Sequence, residues 1–247
     1  MFVEGYLFSL KRWYIKAIIP LSGLNSFKFI AKDLLIDSNS SINRDIMNFL
    51  SIDCSTDKGS LFLKFKNKTF NRVLQSDKSH NDLLMKEILD FFFENNLKFN
   101  DISHIFVNQG PGNFSGLRGS LSVAKGISLA KNLNLSGYNT FLWACSKFYN
   151  SSDILYSIIK FREEYFIKKF DKKLKSISKI EKIAENEIIK KYGRELKIIP
   201  KNIVENFNDK ILKLSNVKIV DLDHNDLEFM KLHDLLDENL IKPLYLG

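Results

Sequence analysis

The sequence has too few cysteines for a disulfide framework and no regular metal-binding pattern. Its 247 residues contain two cysteines, Cys54 and Cys145, and we expect both to be reduced core residues of a cytoplasmic protein. The four histidines are scattered, without CxxC, HExxH or HxxxH spacing, which argues against a bound metal. No apolar run reaches the roughly 18–20 residues that span a bilayer, so we expect no membrane segment.

Arginine is also scarce, although the chain carries a net charge of +8. Six of its 37 basic residues are arginine, the side chain that best recognises phosphates and base edges. Two interpretations stay open. The lysines are the background of an AT-rich genome, or they have a mild electrostatic role near nucleic acid.

The chain divides into three predicted parts. Residues 1–46 are apolar and basic and end in a polar linker. They represent a misassigned start upstream of Met47, an accessory arm or a targeting segment. Residues 47–150 form a first subdomain, and residues 151–247 form a divergent second one whose C-terminal tail packs back on the first. The alternation of strands and helices favours an α/β or α+β fold with two halves.

Periodicity and turn signals place the elements of these halves. In the first half we expect strands at 49–54, 60–66, 69–75, 102–107 and 135–138, with helices at 79–94, 115–132 and 140–149. In the second half we expect strands at 153–161, 165–170 and 217–222, with helices at 177–192 and 226–238.

A glycine-rich turn between a strand and a helix is the most distinctive local feature. Its residues are Gly110, Pro111, Gly112, Phe114, Gly116, Leu117 and Arg118. The backbone N–H groups at such a turn suit an anion, but the same glycines suit a tight turn that seats a close-packed helix. The spacing matches neither a Walker A loop nor a dinucleotide fingerprint. For Arg118, a structural bond and a contact with a ligand or partner both stay open.

A short polar run follows the first strand, and one histidine begins the following helix. Asp53, Ser55 and Thr56 resemble the first phosphate loop of actin-like ATPases, although Cys54 stands where those proteins usually have glycine. Asp53 either anchors Mg²⁺ or bonds its own turn. His80 has Leu84 four residues on, so a helical metal pair is absent and a cap or interface role is favoured.

These motifs resemble the TsaB (YeaZ) family of tRNA threonylcarbamoyladenosine biosynthesis proteins. The glycine turn resembles the family's G-P-G-S-F-T-G-L-R, with Asn113 and Ser115 in place of serine and threonine. The strand and polar run ending at Thr56, the H-N-D-L-L run from His80, and the P-L-Y-L run from Pro243 resemble further family motifs. The resemblance covers residues 47–247 and is thin from 151 to 241.

The resemblance implies an actin-like ATPase fold, in which two related subdomains of mixed sheet carry flanking helices and the nucleotide site is degenerate. It implies a non-catalytic subunit without a cofactor. Its catalytic partner TsaD binds metal and transfers a threonylcarbamoyl group to adenosine 37 of tRNAs reading A-starting codons. It also implies a TsaE-like ATPase as a further partner, contact with tRNA through the complex, and a homodimer when the chain is alone.

The two apolar helices at 79–94 and 115–132 suit a four-helix interface with such a partner. The residues predicted near it are His80, Leu84, Met85, Ile88, Leu121 and Lys125. Two rival functions stay open. One is an active enzyme of the same superfamily, kinase-like or M22 peptidase-like. The other is an autonomous RNA-binding module, for which the sequence offers no aromatic–basic motif.

Overall fold

The structure is a computed structural model that describes residues 47–74, 81–192 and 195–246. The predictions on residues 1–46 and on His80 lie outside the described residues. Residues 46–247 form one compact unit.

The first sheet has five strands in the order β3-β2-β1-β4-β5. Its strands are β1 (Phe49–Asp53), β2 (Ser60–Phe65), β3 (Lys68–Val73), β4 (His104–Asn108) and β5 (Asn134–Tyr138). β1, β2 and β3 are antiparallel neighbours, whereas β1, β4 and β5 run parallel. Every residue of β1 and β4 is buried, as expected for central parallel strands covered on both faces. The predicted three-stranded meander is confirmed.

Helices connect and cover these strands. They are α1 (Asn81–Glu94), α2 (Phe114–Lys131) and α3 (Thr140–Cys145), with 3-10 helices at Phe99–Asp101 and Ser146–Phe148. The Asn113 side chain accepts a hydrogen bond from the Ser115 N–H and so caps the start of α2. Asn132 ends α2 in the left-handed conformation, with φ 53°. The sequence therefore specifies both ends of α2.

The second sheet repeats the topology of the first, in the order β8-β7-β6-β9-β10. Its strands are β6 (Ile154–Phe161), β7 (Glu164–Asp171), β8 (Glu181–Ile183), β9 (Lys197–Pro200) and β10 (Val217–Val220). β6, β7 and β8 are antiparallel neighbours, and β6, β9 and β10 run parallel. The predicted fold of two related halves is confirmed.

The predicted helix at 177–192 is wrong in its first half. Residues Glu181–Ile183 form β8, and the helix there is α4 (Glu185–Lys191). Ile183 is buried and pairs with Tyr165 of β7. Pairing within the sheet therefore outweighs the helical pattern of this mostly polar segment. The remaining elements are α5 (Asp209–Leu212), α6 (Asp226–Leu232) and a 3-10 helix at Lys201–Asn206.

One hydrophobic cluster joins the two halves. Phe49, Phe106 and Tyr138 of the first sheet pack in the same cluster as Phe170 and Ile198 of the second. A second cluster lies under α1 and α2 in the first half, and a third lies under α4 and α5 in the second. The shared cluster holds the two sheets against each other. A cleft lies between the loops that follow their strands.

Candidate functional site: a cleft between the halves and an exposed helix face

A cleft of about 1380 Å³ lies between the two halves. The first half contributes the loop after β1 and the glycine turn after β4. The second half contributes the β6–β7 turn, the 3-10 helix after β9 and the loop before α6. In an open α/β sheet the ends of parallel strands are the usual place for a ligand, so each loop is considered in turn.

The loop after β1 uses its polar groups within the protein. The Ser55 N–H donates to Asp53 Oδ1 at 2.9 Å, so Asp53 bonds its own turn. The Ser55 carbonyl accepts from the Asn113 N–H at 2.8 Å, and its hydroxyl accepts from Asn108 Nδ2 at 3.3 Å. The Thr56 hydroxyl donates to a carbonyl in the same loop at 2.7 Å. These bonds fasten the loop to the glycine turn.

The glycine turn is packed against this loop. A Cβ atom at Gly112 would lie 2.0 Å from the Ser55 carbonyl oxygen, and one at Gly116 would lie 2.4 Å from the Cys54 carbonyl oxygen. Gly110 has φ +107°, a conformation that side chains rarely adopt. Pro111 and Leu117 are buried beside it. The glycines therefore permit contact between two loops and the start of α2.

Cys54 and Cys145 lie close to the cleft or beneath it, and their thiols are unreactive. Burial, together with the nearby Asp53 carboxylate, raises the pKa of the Cys54 thiol to about 12. Burial also raises the pKa of Cys145 to about 12. Both thiols are protonated at neutral pH, and a protonated thiol is a poor nucleophile.

A histidine from the second half reaches the first half at the floor of the cleft. His224 Nδ1 lies 3.0 Å from the Ser51 hydroxyl, and Nε2 lies 3.4 Å from the Ser60 hydroxyl. Burial lowers the pKa of His224 to about 4, although the Asp53 and Asp223 carboxylates act in the opposite direction. His224 is therefore a neutral, hydrogen-bonded link between the halves near pH 7.

The C-terminal tail lies against the glycine turn. The Leu244 N–H donates to the Gln109 carbonyl at 2.7 Å, and Gln109 Nε2 donates to the Lys242 carbonyl at 3.0 Å. The ring of Tyr245 stacks on that of Phe114, with centroids 5.0 Å apart. The Arg118 guanidinium lies over the Phe114 ring, 4.5 Å from its centroid.

The second candidate site is the set of exposed apolar side chains on the two neighbouring helices α1 and α2, here called the α1–α2 face. It consists of Leu83, Met85, Leu89, Phe93 and Leu129. Phe93 is 83% exposed and Leu129 is 85% exposed. Lys125 and Gly126 lie exposed on α2, and a Cβ atom at Gly126 would meet nothing within 4 Å. The middle and end of α2 are therefore open to another surface.

Three of the predicted interface residues belong to the chain's own core. Leu84 and Ile88 are fully buried, and Leu121 is 4% exposed, so their prediction as partner contacts is corrected. They face the sheet because they share the side of the helices that packs on it. Met85 and Lys125 are exposed and stay candidates.

Of the exposed stripe on the outer side of α1, Met85 alone was among the predicted interface residues. Leu89 and Phe93 follow Met85 at intervals of four residues, which places all three on one helical stripe. Assigning the neighbouring stripe of Leu84 and Ile88 to the sheet would have left this second stripe for a partner.

In the described ranges, no helix is long and apolar enough to cross a membrane. The same ranges hold no group of three or more His, Cys, Asp or Glu side chains arranged for a metal ion.

Comparisons with known proteins agree with this architecture. The curated tRNA threonylcarbamoyladenosine biosynthesis protein TsaB of Buchnera aphidicola subsp. Baizongia pistaciae (strain Bp) is 32% identical over 110 residues, which are 44% of this chain. The match spans 50% of that relative's length, so the chain spans about half the length of the curated relative it matches.

Two solved structures from Pseudomonas aeruginosa have the same fold. One is YeaZ, with a TM-score of 0.56 and 15% identity over 81% of this chain. The other is an uncharacterized protein with similarity to peptidase YEAZ, with a TM-score of 0.58 and 14% identity over 82% of this chain. Each is covered over 100% of its own length.

A family model extends the agreement across the two halves. The model for TsaD, tRNA N6-adenosine threonylcarbamoyltransferase, matches residues 74–202, which are more than half of the chain. The chain therefore belongs to the TsaD family, and within it the chain is similar to TsaB (YeaZ) proteins of the actin-like ATPase fold.

Proposed function

We propose that the chain acts in the synthesis of N6-threonylcarbamoyladenosine at position 37 of tRNAs that read A-starting codons. In this proposal it is a non-catalytic subunit that docks a catalytic TsaD-like paralogue through the α1–α2 face. The similarity to the Buchnera TsaB protein supports a role in this process. The exposed apolar side chains of two neighbouring helices are the observation that carries the docking role.

The α1–α2 face has the composition of a protein interface. Large apolar patches on soluble proteins commonly mark interaction sites, and buried aromatic and aliphatic anchors provide most of the binding energy at an interface. Phe93 and Leu129 protrude most, and Gly126 lacks a side chain that would keep a partner helix away. Two helices from a partner would complete a four-helix contact here.

The actin-like fold implies a nucleotide and Mg²⁺ in the cleft, and the residues of this chain do not fit them. The Asp53 carboxylate and the Ser55 hydroxyl and carbonyl are already hydrogen-bonded within the loops. The exposed Asp57 carboxylate beside them would repel a triphosphate. We propose that ATP and metal bind to the partner subunits and that this chain needs no cofactor.

The same face would account for the remaining partners. In this proposal two copies of the chain pair through the α1–α2 face when the paralogue is absent. The TsaE-like ATPase joins the pair of paralogues, and tRNA is presented to the catalytic subunit. The paralogue and a second copy would then compete for one surface, so excess paralogue converts the homodimer into a heterodimer.

Reconstitution tests the proposal. The full chain, a TsaD-like paralogue, a TsaE-like ATPase and unmodified tRNA are combined with threonylcarbamoyl donor, and modified adenosine is measured by mass spectrometry. We expect product with all components and none when this chain is omitted. Product from this chain alone would contradict the non-catalytic role. Product of equal yield without this chain would contradict its role in the process.

Calorimetry separates the proposal from the rival enzyme. We expect no heat of ATP binding to the isolated chain at millimolar nucleotide with Mg²⁺. Micromolar ATP binding that is lost in Asp53→Asn would favour an active kinase-like enzyme instead.

A further inference from the structure

Three planar groups meet at the rim of the cleft, where Arg118 lies over the ring of Phe114 and Tyr245 stacks on it. The Arg118 guanidinium lies 4.5 Å from the centroid of Phe114, and the Phe114 and Tyr245 centroids lie 5.0 Å apart at an interplanar angle of 27°. Phe114 is 54% exposed and Tyr245 is 49% exposed, and both line the cleft. Arg118 belongs to α2 and Tyr245 to the C-terminal tail, so the fold assembles an aromatic–basic cluster that the sequence does not show as a motif.

Tyr245 is the outer ring of this stack. Both Arg118 and Tyr245 are in contact with Phe114, so the side of Tyr245 turned away from Phe114 is where a further planar group could add. Tyr245 has no other ring contact among the described residues, and half of it is open to solvent. Nucleobases are planar groups that stack on aromatic side chains whatever their sequence.

The cleft that Tyr245 lines also carries basic side chains. Lys58, Lys160, Arg162 and Lys201 line the same cleft. Lys160 pairs with Glu163, and Lys201 pairs with Asp221. Lys58 and Arg162 form no ion pair with the described residues, and both are exposed. Two cationic side chains are therefore available for phosphates.

The acidic side chains limit what can bind. Asp53, Asp57, Glu205 and Asp221 also line the cleft, so the four basic and four acidic residues balance. A compact polyanion would meet these carboxylates, whereas a single strand spreads one charge over each nucleotide. The balance also implies that stacking, rather than charge, supplies most of the affinity.

We propose that Tyr245 is a stacking platform for an unpaired base of single-stranded RNA, whose neighbouring phosphates contact Lys58 and Arg162. This contact goes beyond the proposed function, in which the catalytic subunit receives the tRNA, because the chain itself touches RNA. It rests on that function only for the presence of RNA near the cleft.

The test is fluorescence anisotropy of a labelled hexaribonucleotide with the full chain alone, at 50 to 200 mM salt. We expect Tyr245→Leu to weaken binding about 5- to 150-fold, because stacking on one aromatic ring contributes about 1–3 kcal/mol. Tyr245→Phe keeps the ring and should retain the affinity. Arg162→Ala should make the slope of log K against log salt shallower by about 0.7, the value for one phosphate contact with a single strand. Leu232→Ala, which removes an exposed apolar side chain outside the cleft and outside the α1–α2 face, is the control and should change nothing.

Several results would overturn the proposal. One is the absence of hexamer binding at 50 mM salt, and another is equal affinity in Tyr245→Leu and the unmodified chain. Equal affinity for AMP and the hexamer would assign the site to a free nucleotide. Loss of paralogue binding without loss of RNA binding in Tyr245→Leu would assign the ring to the protein interface. Because RNA is measured without partners, a failure here leaves reconstitution with the paralogue as a separate test of the proposed function.

Discussion

The two halves of the described chain share one strand order but differ in the helices that cover it. In the first half, α1 has 14 residues and α2 has 18. At the corresponding places in the second half, α4 has 7 residues, and the link from β9 to β10 is a 3-10 helix followed by the 4-residue α5. The same sheet therefore carries an exposed apolar helix face only where its helices are long enough to cover the sheet and still present an outer side.

The turns differ in the same way. In the first half, the turn after β4 contains Gly110 and Gly112 and packs on the loop after β1. In the second half, β9 ends at Pro200 and the chain enters a 3-10 helix at Lys201. Close loop packing, which only glycine permits, belongs to the first half.

Gly112→Ala should break the first half with the largest effect. Its Cβ atom would lie 2.0 Å from the Ser55 carbonyl oxygen, and backbone cannot move aside as a flexible side chain can. We expect a loss of about 3 kcal/mol or more in the free energy of unfolding, measured by urea denaturation. A loss below 1 kcal/mol would contradict the packing described for the two loops.

Acid should weaken the link between the halves through His224. Burial lowers the pKa of His224 from 6.5 to about 4, so the unfolded chain binds a proton that the folded chain does not. The contribution of neutral His224 to the free energy of unfolding is therefore complete above pH 6.5 and is lost as the pH falls from 6.5 towards 4. The loss amounts to about 3 kcal/mol at 1.36 kcal/mol per pH unit.

The matched variant for this effect is His224→Asn, which keeps a hydrogen-bonding side chain but cannot titrate. Urea denaturation at pH 7, 6 and 5 gives the number of protons that the chain takes up on unfolding. The variant should take up one proton fewer than the unmodified chain. His104 provides a second, independent contribution, since burial lowers its pKa to about 4 as well. An unchanged slope in His224→Asn would contradict the neutral state of His224.

The ion pair of Lys64 and Glu228 should make a smaller contribution to the same link. It joins β2 of the first half to α6 of the second, and both side chains are mostly buried. A double-mutant cycle with Lys64→Met and Glu228→Gln should give a coupling of about 1 kcal/mol. The exposed pair Lys213–Asp209 within the second half is the control, and its coupling should stay below about 0.5 kcal/mol. Equal couplings would show that the link between the halves has no special weight.

Gly126→Ala should have a small effect of the opposite sign from Gly112→Ala. Gly126 lies inside α2, and a Cβ atom there meets nothing within 4 Å. Alanine favours a helix interior over glycine by about 1 kcal/mol, so thermal unfolding should shift upward slightly. A destabilised Gly126→Ala chain would show that the open space above α2 is absent.

The first half could be predicted from the sequence because its signals are local. Alternating apolar residues and the Asp57–Gly59 turn specify the meander, and Asn113 and Asn132 mark the ends of α2. The glycine turn was also recognisable, but a spacing cannot show whether its N–H groups face a ligand or another loop. That choice depends on Ser55, which lies about 55 residues earlier in the chain.

The second half was harder because its elements are short and its pairing is non-local. β8 has three residues and β9 has four, too few for a period to be counted. The side chains of the α1–α2 face were predicted incompletely for another reason. Helix α1 is apolar on two sides, and periodicity alone cannot show that Leu84 faces the sheet while Phe93 faces solvent. The Phe114–Tyr245 stack could not be predicted at all, since 131 residues separate the two rings in the chain.

The affinity of the TsaD-like paralogue for helix variants tests the central claim most directly. Leu129→Asp places a charge on the α1–α2 face of the first half, and Leu232→Asp places one on α6 of the second, where the leucine is 65% exposed. By calorimetry, we predict that Leu129→Asp weakens paralogue binding at least 30-fold, the effect of losing a contact of about 2 kcal/mol. Leu232→Asp should bind as the unmodified chain does. Unchanged binding by Leu129→Asp, or an equal loss in Leu232→Asp, would contradict the account that the long helices of the first half form the docking face.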